Sequence, residues 1–169
     1  RLAERDVIAW LRSRPLELDE LDAKVAAALR AEQLVRLNQL RRLSALGKLP
    51  AAMTWVADFL AHGEPLVLFA GHREVQAALL RRFPAALHVL GGDDAHAREE
   101  AVRRFQAGEP ADPRPVPEVV DLELARRTPR GRPGDGAGLI VCSLRAAGQG
   151  ITLTRASNVA FLELDWTPA

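Results

Sequence analysis

Apolar residues recur at helical spacing through the first part of the chain. Two series of apolar residues occur, with Leu21, Val25 and Leu29 four residues apart and Leu34, Leu37, Leu40 and Leu43 three residues apart. Such spacing puts the apolar side chains on one face of a helix. Pro15 interrupts the pattern early, and Gly47 is predicted to end it. Residues 1–46 are therefore predicted to form a helical N-terminal arm rather than part of a sheet.

From Gly47 onward, short apolar runs alternate with helical stripes. Pro50 suits a helix start, and further helical patterns are predicted at 73–83 and 95–107. Short apolar runs, typical of buried parallel strands, occur at 66–70, 87–90, 139–143 and 159–164. Alternating strands and helices imply a parallel sheet with helices on both faces. The pattern therefore predicts an α/β domain over residues 47–169.

Residues 108–138 depart from this alternation. They hold six of the eleven prolines and five of the twelve glycines of the chain. A structureless loop of this length is uncommon inside a compact domain, so we predict a flexible insertion. Its segment 126–132, Arg-Arg-Thr-Pro-Arg-Gly-Arg, is basic. Two interpretations stay open for this segment, a solvated charge run and a contact with nucleic acid.

Composition narrows the class of protein. The formal net charge of the 169 residues is +1, so any basic surface must be local. Cys142 is the single cysteine, which excludes a disulfide within the chain and is typical of a cytosolic protein. Its position in an apolar run predicts a buried structural thiol. No apolar stretch reaches the ~18 residues that a membrane span needs, and no signal peptide is recognisable.

Several kinds of catalytic or metal site are excluded by their missing motifs. The sequence has no Gly-x-x-x-x-Gly-Lys-Ser/Thr phosphate loop. The acidic run at 19–22 lies in the helical arm, without an apolar strand before it, and is interpreted as a solvated helix start. The four histidines lack metal-ligand spacing, so no metal site is predicted. Ser143 lacks the Gly-x-Ser-x-Gly turn of a hydrolase nucleophile.

Three blocks, at 66–74, 91–105 and 138–168, place glycines and polar residues after predicted strands. Ligands of open α/β sheets bind on such loops, where helix N-termini and exposed backbone can hold phosphate. Taken singly, each block is a weak signal, because most β–α junctions bind nothing. The residues that carry candidate chemistry are Gly71, His72, Arg73, Gly92, Arg98, Ser143, Arg145, Gly148, Gly150 and Thr152.

Taken in order, the three blocks resemble the Swi/Snf-like DNA-dependent ATPases of helicase superfamily two. The block at 66–74 resembles motif IV, and the block at 91–105 resembles the arginine-containing block that follows it. Ser-Leu-Arg-Ala-Ala-Gly-Gln-Gly-Ile-Thr-Leu-Thr at 143–154, with Asp-Trp-Thr-Pro after the last strand, resembles motif V. The segment at 39–50 resembles the lead-in to the same lobe. The resemblance covers roughly residues 34–169 without the 108–138 insertion.

The resemblance implies a RecA-like second motor lobe that works on double-stranded DNA together with a first RecA-like lobe of the same chain. That first lobe would hold most of the ATP and Mg²⁺ contacts, and neither is expected bound here. By motif position, the DNA side would be formed by Ser143, Gly71, His72, Arg73, Gly92 and Arg98. The nucleotide cleft would be lined by Gly148, Gly150, Thr152 and Arg145.

The sequence also departs from the family pattern. Motif VI, with its arginine fingers, is absent, so we expect this chain alone neither to hydrolyse ATP nor to move DNA. Because the chain begins at Arg1 and stops at Ala169, we interpret it as a piece of a longer, bacterial-type cytoplasmic protein. Two other hypotheses stay open. One is a nucleotide-binding or methyltransferase-like enzyme with its cleft at 148–150, and the other is a non-catalytic module that recruits nucleic acid or protein.

Overall fold

The computed structural model describes residues 18–112, 124, 127–147 and 151–163, with the backbone alone at 18–24 and 26–32. Within these residues the helices and strands alternate along the chain. The elements are α1 (Leu18–Ala61), β1 (Leu66–Phe69), α2 (Arg73–Arg82), β2 (Leu87–Val89), α3 (Ala95–Ala107), β3 (Leu139–Cys142), α4 (Leu144–Ala147) and β4 (Asn158–Phe161).

The four described strands form one sheet in the order β2-β3-β1-β4, and every pair is parallel. Val67 of β1 lies opposite Ile140 of β3 on one side and opposite Val159 of β4 on the other. One face of the sheet packs on α2 and the later turns of α1, and the other packs on α3. The predicted fold class, a RecA-like α/β sheet with helices on both faces, is confirmed.

Packing divides the chain into two compact units, residues 1–41 and 42–169. The predicted domain boundary lies a few residues later, at 46. Of the predicted helical arm, residues 1–17 lie outside the described part, and α1 accounts for the rest. Its leucines Leu34, Leu37 and Leu40 are exposed.

The predicted end of the first helix at Gly47 is wrong, because α1 continues through this residue to Ala61. Ala45, Leu49 and Val56 form a buried stripe that spans the position, and this packing on the sheet outweighs the low helix propensity of glycine. Pro50 lies inside the helix rather than at its start.

The last strand is less buried than its apolar sequence predicts. Val159 is 53% exposed and Phe161 is 49% exposed. Among the described residues β4 pairs with β1 alone, so it forms an edge of the sheet. An edge strand lacks the cover of a second neighbour, which explains the exposure.

Part of the predicted insertion is packed on the domain. Thr128 is buried, and Gly136 is buried beside Phe83 at the end of α2. The insertion residues 113–123 and 125–126 lie outside the described residues, and the prediction of a flexible insertion stays a prediction for them.

The helix that follows β2 is capped at both ends. Asp94 accepts a hydrogen bond at Oδ1 from the backbone N–H of Ala97 at 2.7 Å, and Gly108 closes the other end in the left-handed conformation. Glycine suits this position because its φ of +79° is unfavourable for other residues. In the described part of the chain, none of the helices combines the length and apolar character of a bilayer-spanning segment.

Replacing Asp94 by alanine is expected to lower the free energy of unfolding by about 1 kcal/mol, because the first turn of α3 loses its cap. Urea denaturation followed by circular dichroism measures this change. Glu99→Ala, at an exposed position in the same helix, is the matched control and is expected to change stability by less than about 0.5 kcal/mol. Equal losses in the two variants would contradict the capping role.

Candidate nucleic-acid interface

The carboxyl ends of the four parallel strands meet at one edge of the sheet, which we call the carboxyl edge. Most of the predicted site residues lie on the loops or first helical turns that follow β1, β2 and β3. This group consists of Gly71, His72, Arg73, Gly92, Arg98, Ser143 and Arg145. Gly148 and Gly150 lie outside the described residues.

A histidine–glutamate pair joins the ends of β1 and β4. His72 Nδ1 lies 2.7 Å from Glu163 Oε2, and the Glu163 side chain is 9% exposed. A Cβ atom on Gly71 would lie 3.0 Å from the same oxygen, so the absence of a side chain there leaves room for the carboxylate. Glu163 Oε1 is buried and has no hydrogen-bond partner. The pair orients the His72 ring and leaves one carboxylate oxygen with unused acceptor capacity.

The loop between β1 and α2 is held by a buried amide. Gln76 Nε2 donates to the carbonyl oxygen of Ala70 at 2.7 Å. His72 is the N-cap residue of α2, yet its side chain makes no capping hydrogen bond. The first-turn acid Glu74 pairs with Arg42 at 2.6 Å. The first backbone N–H groups of α2 therefore find no acceptor in the His72 side chain.

The loop after β2 lies beside Arg73. An Arg73 guanidinium nitrogen is 3.9 Å from the place that a Cβ on Gly92 would occupy. Asp93 stabilises this loop, since its Oδ2 accepts from the backbone N–H of Leu90 at 2.7 Å and lies 3.1 Å from His88 Nδ1. The first two sequence blocks therefore meet at the carboxyl edge through Arg73 and Gly92.

Arg98 contributes a second cation, from the first turns of α3. The residue is half-buried, and its Nε is buried without a hydrogen-bond partner. A buried donor left unsatisfied carries a desolvation penalty that an anion bound beside it would relieve. The arrangement favours a phosphate or carboxylate near Arg98.

Ser143 has a structural task that the sequence did not reveal. Its Oγ accepts from the backbone N–H of Ala146 at 3.2 Å, and its own N–H donates to the carbonyl oxygen of Val89 at 3.0 Å. The residue is only 8% exposed. Ser143 thus caps the short helix α4, which was predicted as loop, and α4 presents Arg145 as an exposed cation.

Thr152 does not lie with Arg145. Its carbonyl oxygen and the Thr154 hydroxyl accept from the side-chain amide of Gln106, near the end of α3. Because α3 begins at the carboxyl edge and runs back along the sheet, its end lies at the opposite edge, where Ala111 N–H donates to Ala85 just before β2. Thr152 and Arg145 are the two predicted cleft residues that the structure describes. They therefore lie apart.

Nucleophilic and metal chemistry find little support in the described residues. Cys142 is fully buried, and desolvation raises the pKa of its thiol to about 12, so it is an inert core residue as predicted. Among the described residues no three His, Cys, Asp or Glu side chains cluster as metal ligands. The described part of the carboxyl edge offers arginine side chains and helix N-terminal N–H groups, which are the kinds of donor that suit an anion.

No protein-family model and no curated protein matches the sequence. Most of the described residues that the three motif blocks single out lie together at the carboxyl edge.

Proposed function

We propose that this chain is the second motor lobe of a Swi/Snf-like, ATP-dependent translocase of double-stranded DNA. The observation that supports it most is the carboxyl edge, where Arg73, Arg98 and Arg145 come from the three blocks that resemble the family. Residues far apart in sequence are thereby brought to one edge, and their guanidinium groups suit contacts with backbone phosphates.

Each of these residues has a distinct part in the proposed contact with DNA. Arg73 and Arg98 bind backbone phosphates, for which the planar guanidinium is well suited. Glu163 orients His72, so that the imidazole edge turned away from the carboxylate can reach a neighbouring phosphate. Such contacts are sequence-independent and weaken as the salt concentration rises.

By its place in motif V, the segment 148–150 would form a loop on the nucleotide side. Gly148 and Gly150 would let this loop approach ATP or the first lobe, and Arg145 would supply charge at the same place. In the whole protein, ATP and Mg²⁺ would be held mainly by the first lobe. We assign no magnesium ligand to this chain, since its described residues contain no acidic cluster that fits one.

The test is ATP turnover by the whole protein that carries both lobes, with and without duplex DNA. We expect DNA to stimulate turnover, and Gly150→Asp to abolish the stimulated part, because a carboxylate would occupy the phosphate-facing loop. Orders of magnitude in rate depend on correct closure around the phosphates. Ala51→Asp, which adds the same charge at an exposed position of α1, is the control and is expected to keep the activity.

The 169-residue chain alone is expected to show no turnover above a Ser143→Ala/Gly150→Asp double variant. Turnover in the whole protein that is indifferent to both DNA and Gly150 would overturn the proposed function.

A further inference from the structure

The segment 127–138, which we call the arginine loop, is built onto the end of α2. Thr128 is 2% exposed, and its N–H donates to the carbonyl oxygen of Leu124 at 3.0 Å. Its own carbonyl oxygen accepts from Arg81 Nε at 3.1 Å. The first turn of the loop is thus attached to α2 by a buried residue.

Two glycines allow the loop to lie directly against α2. Gly131 N–H donates to the carbonyl oxygen of Arg81 at 3.0 Å, and a Cβ on Gly131 would overlap the carbonyl oxygen of Arg82. Gly136 has a φ of +91°, and a Cβ there would lie 2.6 Å from Phe83 Cβ. The backbone contact leaves no room for a side chain at either position.

Asp135 ties the middle of the loop together. Its Oδ2 accepts from the backbone N–H of Arg132 at 3.0 Å and from Arg82 at 2.6 Å. Its carbonyl oxygen accepts from Ala85 N–H at 2.9 Å. The hydrogen bond from Arg132 N–H, with help from the Arg82 guanidinium, lowers the pKa of Asp135, so this carboxylate stays ionised at neutral pH.

This rigid loop carries a local excess of positive charge. Arg127, Arg130 and Arg132 are exposed, and Arg81 and Arg82 lie half-buried beneath them. Asp135 is the only acid among the described residues of the loop, and it is already engaged. A chain with a net charge of only +1 has therefore concentrated arginines at this place.

The loop lies at the amino edge of the sheet, opposite the carboxyl edge. Gly138, its last residue, accepts at its carbonyl oxygen from the N–H of Leu66 at the start of β1. The loop is therefore separate from the site described above, and the phosphate contacts of one edge do not account for it.

We propose that the arginine loop is a second, sequence-independent binding surface for the phosphate backbone of duplex DNA. The inference rests on the proposed function and adds a contact at the other edge of the lobe. Guanidinium groups bind phosphate oxygens bidentately, and a loop already fixed on α2 loses little conformational freedom on binding. Besides arginine, the exposed side chains of the loop are the small Pro129, Pro133 and Ala137. A protein interface usually has large apolar or aromatic anchors, which this loop lacks, so nucleic acid is favoured over an acidic protein.

The test is the salt dependence of binding between the 169-residue chain and a fluorescent 30-bp duplex, measured by anisotropy. Arg130→Ala/Arg132→Ala is expected to reduce the slope of log Kobs against log salt concentration by about 2, one for each lost phosphate contact. Arg130→Lys/Arg132→Lys, which keeps both charges, is expected to retain the wild-type slope. Both pairs alter exposed side chains, and an unchanged unfolding midpoint verifies the fold of each variant.

A second pair, Arg73→Ala/Arg98→Ala, separates this inference from the proposed function. If this pair weakens binding while Arg130→Ala/Arg132→Ala leaves the slope unchanged, the arginine loop makes no DNA contact and the proposed function stands. If the wild-type chain binds no duplex even at low salt, the proposed function fails and the further inference fails with it. If a polyglutamate peptide binds the arginine loop more tightly than duplex DNA does, the surface serves an acidic protein instead.

Discussion

Replacing Phe105 by alanine is expected to lower the free energy of unfolding by about 3–5 kcal/mol. The Phe105 ring is 1% exposed and lies in the core between α3 and the sheet, with Val67 and Ile140. Truncation removes this burial and leaves a cavity that the surrounding strands fill only in part. Urea denaturation followed by circular dichroism measures the loss.

Phe161→Ala is the matched control, since it removes the same ring from an exposed site. Phe161 is stacked on Phe69 with ring centroids 5.0 Å apart, yet half of its surface meets solvent. Its loss is expected to be about 1 kcal/mol. Losses of equal size in the two variants would contradict the assignment of Phe105 to the core and of β4 to the sheet edge.

Gly131→Ala is expected to lower the free energy of unfolding by about 1–3 kcal/mol, because the new methyl group cannot coexist with the Arg82 carbonyl. The arginine loop must then move away from α2 and lose its hydrogen bond to Arg81. For a chain of this size the unfolding midpoint is expected to fall by about 2–4 °C per kcal/mol. Differential scanning calorimetry measures the shift.

Gly91→Ala tests the same substitution without the steric contact. A Cβ on Gly91 would have no atom within 4 Å, and the backbone there has no positive φ. Its effect is expected to stay within about 0.5 kcal/mol. An unchanged midpoint for Gly131→Ala would show that the loop does not lie against α2, and would remove the support for a preorganised DNA contact.

The sheet was largely predictable from the sequence. The strands at Leu66–Phe69, Leu87–Val89 and Leu139–Cys142 fall within a residue of the predicted runs, and α3 coincides with the predicted helix. These elements are short apolar runs or amphipathic stripes bounded by glycine, proline or a capping aspartate. Such signals are local, so they act before any tertiary contact is formed.

The errors occur where a distant contact outweighs the local signal. Gly47 is a helix-ending residue by propensity, but the sheet supplies a surface on which the helix continues. Helix α4 begins at Leu144, and its cap Ser143 follows the end of β3 and donates its N–H to Val89 of β2. The exposure of Phe161 follows from strand order, which the apolar content of the strand does not reveal.

The candidate site was predictable in its residue types and only partly in its geometry. Gly71 and Arg73 follow a predicted strand, where ligands of parallel sheets bind, whereas Arg98 was selected only by the resemblance to the family. Glu163 was missed, and the only available signal was an acidic residue inside the final apolar run, 159–164. Thr152 belongs to the same motif as Arg145, but its carbonyl oxygen accepts from Gln106 near the end of α3, away from the carboxyl edge.

The sequence by itself determined the α/β class, the main strands and which polar residues follow those strands. Hydrophobic periodicity and turn chemistry act over a few residues, and both can be inferred from neighbours in the chain. The tertiary structure alone decided that three arginines share the carboxyl edge, that His72 pairs with Glu163, and that the arginine loop is fixed on α2. These outcomes depend on strand order and on close backbone approach, which are set by contacts between residues far apart in sequence.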